Sequence, residues 1–140
     1  MLSSSPGELF RHQPQLLLTA FKLWNSGTYS TAVKAIFVSA DDTAENMAEE
    51  ILLSIAAFRF QADTIQSLGA FRDVNGMRYD ESFLNMLQRT DFQHLKYSRQ
   101  EKSLNQKPLF SVKGSLLQVR IMEQMLKTWL YNVSVAIEDN

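Results

Sequence analysis

Apolar residues recur at spacings of three and four along most of the chain, which is the pattern of amphipathic helices that bury one face. The longest such run includes Met47, Ile51 and Ile55 and predicts a helix over residues 43–68. Gly69 follows this run directly and is predicted to end the helix, because helices commonly end at a glycine with a left-handed backbone. Acidic residues at the start of the run favour a helix N-terminus there.

Shorter segments repeat the pattern on both sides of this helix. Val33, Ile36 and Phe37 keep helical spacing, and Asp80 is a suitable N-cap for a later segment. Besides the helix over 43–68, the predicted elements are a short helix that begins at Ser5-Pro6, helices over 15–24 and 30–39, a helix after Asp80 that carries Phe83 and Leu87, a polar helical element after Thr90 and a short extended piece at 109–112.

A long final helix is predicted from Ser115 to Ala136. Its apolar positions alternate between steps of three and four, which gives a heptad-like seam with a second apolar flank. The seam is predicted to be a partner interface formed by Met122, Leu126, Trp129 and Val133. A helix buried at the centre of its own domain would show the same pattern, so both interpretations stay open.

No segment shows sustained alternation of apolar and polar residues, the pattern that indicates a half-buried strand. The sequence therefore predicts an all-α fold, a compact bundle of about five to six helices ending in the long C-terminal helix. A chain of 140 residues is expected to form a single helical domain over residues 1–140.

Composition narrows the class of protein further. With 45% hydrophobic and 21% charged residues the chain is typical of a soluble globular protein. No signal peptide or membrane-spanning stretch is evident, so we expect no membrane partner. The absence of cysteine excludes disulfides and thiol chemistry. We expect a soluble protein of the cytoplasm or of a virion or phage particle.

The sequence holds no recognisable catalytic or phosphate-binding motif. His12 and His94 are the two histidines, and the pair Asp91 and His94 supplies too few ligands for a metal. We therefore expect no enzyme activity, no catalytic residues, no metal site and no cofactor.

Charge is unevenly distributed, although the net charge is only -1. Seven basic and two acidic residues lie between positions 89 and 120, whereas positions 41–50 hold five acidic residues and no basic residue. A predicted basic patch consists of Arg89, Lys96, Arg99 and Lys102, and a predicted acidic patch consists of Asp41, Asp42, Glu45 and Glu49. Each patch could contact a charged partner, or form a solvated face.

These observations favour a non-enzymatic helical assembly or adaptor protein that acts through helix packing in a homo-oligomer or with another protein. A phage or viral structural component would suit the size and composition. One alternative is a nucleic-acid-associated regulator that uses the basic segment 89–120. Another is a helical secretion or folding chaperone with an exposed apolar groove.

Overall fold

Four strands form one antiparallel sheet, so the all-α helical-bundle prediction is wrong and the fold is mixed α/β. The computed structural model describes residues 6–40, 44–98, 108–130 and 132–139, with only the backbone of Glu45, Pro108 and Asp139. The strands are β1 Ala32–Ser39, β2 Lys96–Ser98, β3 Pro108–Ser115 and β4 Val133–Asp139. Their order across the sheet is β2-β3-β1-β4.

Six α-helices and one short 3₁₀ helix occupy the rest of the described chain. Four helices precede the Asp80 cap: α1 Pro6–His12, α2 Leu18–Ser26, α3 Ala44–Ala57 and α4 Ala62–Ala70. The other two are α5 Glu81–Arg89 and α6 Leu116–Trp129, and the 3₁₀ helix is Pro14–Leu17.

The segment predicted as a helix over 30–39 is strand β1. Val33, Ala35 and Phe37 are buried, while Lys34 and Ile36 between them are only half-buried. Apolar residues on both faces hide the alternation of a strand, and the steps among residues 33, 36 and 37 imitate a helix. Val, Ile and Phe favour strands with a pleated, half-buried surface.

The final helix is shorter than predicted, because the chain turns at Asn132. Helix α6 ends at Trp129, and Asn132 has a left-handed backbone with φ of 50°. Asn tolerates this conformation better than most residues with a side chain. Beyond the turn the chain runs back as β4, antiparallel to β1 with Val135 opposite Phe37.

The helix predicted over 43–68 is interrupted between α3 and α4. Phe58 and Phe60 are both buried, and their ring centroids lie 4.8 Å apart. Residues two apart point in very different directions on a helix, so both rings can enter the core only if the helix stops. Arg59 donates hydrogen bonds to the carbonyls of Ala56 and Phe58, which satisfies acceptors that the end of α3 exposes.

The core lies on one side of the sheet, where α3 and α6 pack against it. Phe37 and Phe110 contribute paired rings from β1 and β3, with centroids 5.4 Å apart. Helix α6 begins directly after β3 with a capping box, in which the Ser115 hydroxyl accepts from the backbone N–H of Gln118 and the Gln118 side chain returns a contact to Ser115. The other side of the sheet carries no described helix.

Candidate functional site

The predicted helix seam faces the core of the same chain. Met122 and Leu126 are 1% and 0% exposed. Trp129 is half-buried at the end of α6, and Val133 is half-buried at the start of β4. The sequence left open whether the seam is a partner interface or the buried face of a core helix. For Met122 and Leu126 the burial agrees with a core helix, and neither side chain is accessible to a partner in this fold.

The described members of the predicted basic patch lie on different elements of the fold. Arg89 is at the end of α5, where it lines a concavity of about 330 Å³ with Ser30 and Thr90. Lys96 is the first residue of the edge strand β2. Arg99 and Lys102 lie outside the described residues.

The predicted acidic patch is described only in part. Glu49 is exposed on α3, and the backbone of Glu45 lies one turn earlier on the same helix. Asp41 and Asp42 lie outside the described residues.

A different basic cluster lies on the side of the sheet away from the helices. Lys96 of β2 pairs with Lys113 of β3, and Lys113 pairs with Lys34 of β1. We call these three residues the lysine row. Side chains directly opposite each other on antiparallel strands start only about 5 Å apart, so the row places three cations side by side.

The lysine row is electrostatically unfavourable for the fold. Like charges directly opposite on neighbouring strands cost roughly 0.2–1 kcal/mol per pair. Among the described residues, none forms an ion pair with Lys34, Lys96 or Lys113. Glu138 of β4 is opposite Lys34 in register but does not approach it as an ion pair. An external anion would relieve this repulsion.

Two serine hydroxyl groups lie next to the lysine row. Ser98 and Ser111 are cross-strand partners, and their Oγ atoms lie 2.8 Å apart. Both residues line an open groove of about 310 Å³ together with the lysine row and Tyr97. Tyr97 is 57% exposed, which makes it one of the few large exposed apolar side chains in the described chain. Tyr97 is opposite the buried Val112 in register, so its ring projects to the helix side of the sheet. The side chains that the groove combines are therefore cations and hydroxyl groups.

Strand β4 forms the other candidate surface, because it is an outer strand of the sheet. The backbone N–H of Ala40 donates to the carbonyl of Asn132 at 3.3 Å. In an antiparallel pair, residues that exchange hydrogen bonds alternate with residues whose backbone groups point away. The alternation directs the N–H and C=O groups of Val133, Val135 and Ile137 away from β1.

A second hydrogen bond gives the same alternation independently. The N–H of Leu116 donates to the carbonyl of Thr31 at 2.8 Å, at the far end of the β1–β3 pair. This bond shows that the N–H and C=O groups of Val33, Ala35 and Phe37 point toward β3. The N–H and C=O groups of Lys34 and of the other alternate residues of β1 therefore point toward β4. The two assignments agree. No described residue pairs with the outer edge of β4.

The edge of β4 has few of the devices that usually keep an edge strand from pairing. Natural edges are often short, bulged, or interrupted by charged residues or Pro, and β4 carries charge only at its end, on Glu138 and Asp139. Strand β4 has 7 residues, Val-Ser-Val-Ala-Ile-Glu-Asp, and its register with β1 has no bulge. The opposite edge is β2, of which the structure describes 3 residues. Within the described residues the edge of β4 is the longer one, and it is suited to pairing with another chain.

Sequence reasoning missed both surfaces for the same reason. Lys34 lay in a predicted helix, and Lys113 was counted in the basic segment but not in the basic patch. Their juxtaposition depends on strand register, which no local spacing reveals. A signal for β4 was present, because Val133, Val135 and Ile137 alternate with more polar residues.

Comparison with protein-family models, curated proteins and solved structures finds no match to this chain. Among the described helices, none combines the length and apolar character needed to cross a bilayer. Within the same residues, no group of three or more His, Asp or Glu side chains is placed to hold a metal ion.

Proposed function

We propose that the chain is a non-enzymatic assembly protein that forms a homo-oligomer by pairing β4 with β4 of a second copy. The observation that carries the proposal is the outward direction of the backbone groups of Val133, Val135 and Ile137 on an unprotected edge. Antiparallel pairing would satisfy these groups and join two sheets into one. Strand pairing replaces the helix packing that the sequence favoured.

The sequence of β4 is compatible with pairing to itself. With Ala136 opposite Ala136 of the second copy, Val135 is opposite Ile137 and Ser134 is opposite Glu138. No two like charges then face each other. In this register the residues that exchange hydrogen bonds are the ones whose backbone groups point outward, so register and hydrogen bonding agree.

A role in assembly is also consistent with the composition of the chain. A protein without cysteine suits the reducing cytoplasm, and it equally suits the interior of a virion or phage particle. We place its action in one of these two settings, with a second copy of the chain as the first partner.

The experiment changes Ala136, whose side chain is exposed and lies at the centre of the proposed register. Ala136→Lys and Ala136→Glu each place two like charges opposite each other across the interface, and each should yield monomers. An equimolar mixture of the two variants should recover a dimer, because opposite charges then meet. Mass is measured by light scattering after size exclusion, where the wild type should show twice the chain mass of 16.0 kDa.

Ser134→Lys is the matched control, since it adds the same charge to the same exposed face of β4. In the proposed register it meets Glu138 of the second copy, so dimerisation should be kept or strengthened. Circular dichroism melting checks that each variant is folded. A monomeric wild type at the highest soluble concentration, or a dimer that survives in both Ala136 variants, would overturn the proposal.

A further inference from the structure

The lysine row and two serine side chains share the outer face of the sheet, the face away from the helices. Ser98 is two residues after Lys96 on β2, and Ser111 is two residues before Lys113 on β3, so each serine is on the same face as the lysine of its strand. The lysine row and both serines line the groove of about 310 Å³. We propose that this groove binds a short polyphosphate anion of two or three linked phosphoryl groups. The site lies within one chain, so it is independent of pairing through β4.

The two serine hydroxyls leave one hydrogen-bond donor for a ligand. The Oγ atoms of Ser98 and Ser111 lie 2.8 Å apart. Each hydroxyl has one O–H group, so one O–H donates to the other oxygen and the second O–H needs a different acceptor. No described residue supplies that acceptor. Ser111 is only 5% exposed although it is on the outer face, so it lies deep in the groove.

The donors of the groove select an acceptor that is negatively charged. A lysine ammonium group has three N–H donors and no acceptor, and the second serine O–H is a further donor. Among the described residues, none forms an ion pair with the lysine row. A ligand of this groove therefore accepts hydrogen bonds from several sides and carries negative charge. Phosphoryl oxygens do both, and lysine commonly binds phosphate groups as a point charge.

The spacing of the lysine row favours more than one phosphoryl group. The row crosses three neighbouring strands that lie about 4.8 Å apart, so its side chains start along a line of about 10 Å. A single phosphate contacts all three ammonium groups only if they converge, which brings like charges together. In a linear di- or triphosphate, different phosphoryl groups contact different ammonium groups. A groove of about 310 Å³ is at the small end of sites that hold small molecules, so a ligand of this size suits it.

Glu138 limits the site on one side. It is opposite Lys34 in register, so its side chain is on the same outer face of the sheet. Its carboxylate repels a polyphosphate. The ligand is therefore expected to be centred on Lys113 and Lys96, with Lys34 at the end of the site. Because Lys113 is the central residue of the row, its substitution should have the largest effect among the three lysines.

The test measures the affinity of the full chain for tripolyphosphate by isothermal titration calorimetry, at about 50 mM salt, where exposed charges are weakly screened. Lys113→Gln should weaken binding about fivefold, the upper end for an exposed charge pair. Replacing all three lysines of the row by Gln should remove measurable binding. Replacing Ser98 and Ser111 together by Ala should weaken binding about threefold to tenfold, because it removes both hydroxyls.

Lys22→Gln is the matched control, because Lys22 is exposed on α2 and the substitution removes the same charge away from the sheet. It should leave the affinity within about twofold of the wild type, since solution ions screen a distant exposed charge. Circular dichroism melting checks that each variant is folded. Tripolyphosphate should raise the melting temperature of the wild type and leave that of the triple Gln variant unchanged, because only the wild type binds it.

A nucleoside triphosphate distinguishes two sources of the phosphoryl groups. Adenosine triphosphate that binds more tightly than tripolyphosphate would identify the phosphate tail of a nucleotide as the ligand. Adenosine triphosphate that binds equally or more weakly would identify free polyphosphate. Both results agree with the proposed site when the triple Gln variant binds neither compound.

Other results would overturn the proposal. No binding of tripolyphosphate at low salt, or equal affinity for the wild type and the triple Gln variant, removes the site. Sulfate that binds as tightly as tripolyphosphate would identify a surface for counterions without selectivity. An oligothymidine that binds and is not displaced by tripolyphosphate would identify a nucleic-acid surface.

Discussion

The hydroxyl of Tyr79 donates a hydrogen bond of 2.6 Å to the carbonyl of Pro14, a residue 65 positions earlier in the chain. Tyr79 is 2% exposed, and its ring contacts Phe21, Phe71 and Phe83. The bond therefore ties the 3₁₀ helix before α2 to the segment that leads into α5. Burial of the phenol, together with the negative charge of Asp73, raises the pKa of Tyr79 well above its usual value of 10.0.

Tyr79→Phe should lower the free energy of unfolding by about 1–2 kcal/mol, because it removes this hydrogen bond and leaves the Pro14 carbonyl without its donor. Urea denaturation followed by circular dichroism measures the loss. Tyr97→Phe, which alters an exposed hydroxyl, is the matched control and should change stability by less than about 0.5 kcal/mol. Equal effects of the two substitutions would contradict the structural role of Tyr79.

The raised pKa of Tyr79 also predicts a dependence of stability on alkaline pH. Above pH 10 the unfolded chain loses the phenol proton that the folded chain keeps, so stability falls as the pH rises. This residue alone contributes a slope of up to about 1.4 kcal/mol per pH unit in that range. Stability curves of the wild type and Tyr79→Phe should therefore converge above pH 10. Parallel curves would show that the phenol titrates normally.

Lys113→Gln should stabilise the fold, because Lys113 has a like charge opposite it on both neighbouring strands. The expected gain is about 0.5–1 kcal/mol, or about 2–4 °C in melting temperature, at low salt. Screening should reduce the gain at 1 M salt. Lys22→Gln should give no gain at either salt concentration. A variant that is less stable than the wild type would show that the lysine row supports the fold instead of straining it.

Leu126→Ala distinguishes a core residue from an interface residue. Leu126 is 0% exposed, so the substitution should lower stability by about 2–5 kcal/mol through the cavity that it leaves. The loss should be the same in the monomeric Ala136→Lys background, because the contacts of Leu126 lie within one chain. Thermal and urea unfolding measure it in both backgrounds. Leu53→Ala, at a position 66% exposed on α3, should cost less than about 0.5 kcal/mol.

Asn132 should tolerate Gly but not Val. Its φ of 50° costs a β-branched residue about 1–2 kcal/mol, whereas Gly adopts it without strain. Unfolding experiments should therefore rank Asn132→Gly close to the wild type and Asn132→Val well below it. Equal stability of the two variants would mean that the turn between α6 and β4 has a different backbone conformation.

Local signals in the sequence located one helix end correctly and misplaced another. Asp80 caps α5 by accepting a hydrogen bond from the N–H of Phe83, whereas Gly69, predicted to end a helix, lies within α4. A capping residue depends only on residues within one turn of the helix, so it can be recognised without knowledge of the fold.

The strands could not be recognised in the same way. The steps of three and four continue from α6 through Val133 to Ala136, although the chain reverses at Asn132. The described part of strand β2 has 3 residues, too few to show a period. Both candidate surfaces depend on strand pairing between segments distant in the chain, such as Lys34 with Lys113. Such pairing is decided by packing of the whole domain, which no sequence window contains.

Pairing through the edge of β4 would determine how many lysine rows one assembly presents on the same surface. Two identical antiparallel edge strands are related by a two-fold axis perpendicular to the sheet, so corresponding faces of the two sheets point the same way. A pair of chains joined at β4 would display both lysine rows on one continuous surface. A ligand long enough to reach both rows would bind the second without a new diffusional encounter, with an avidity that a short ligand cannot obtain.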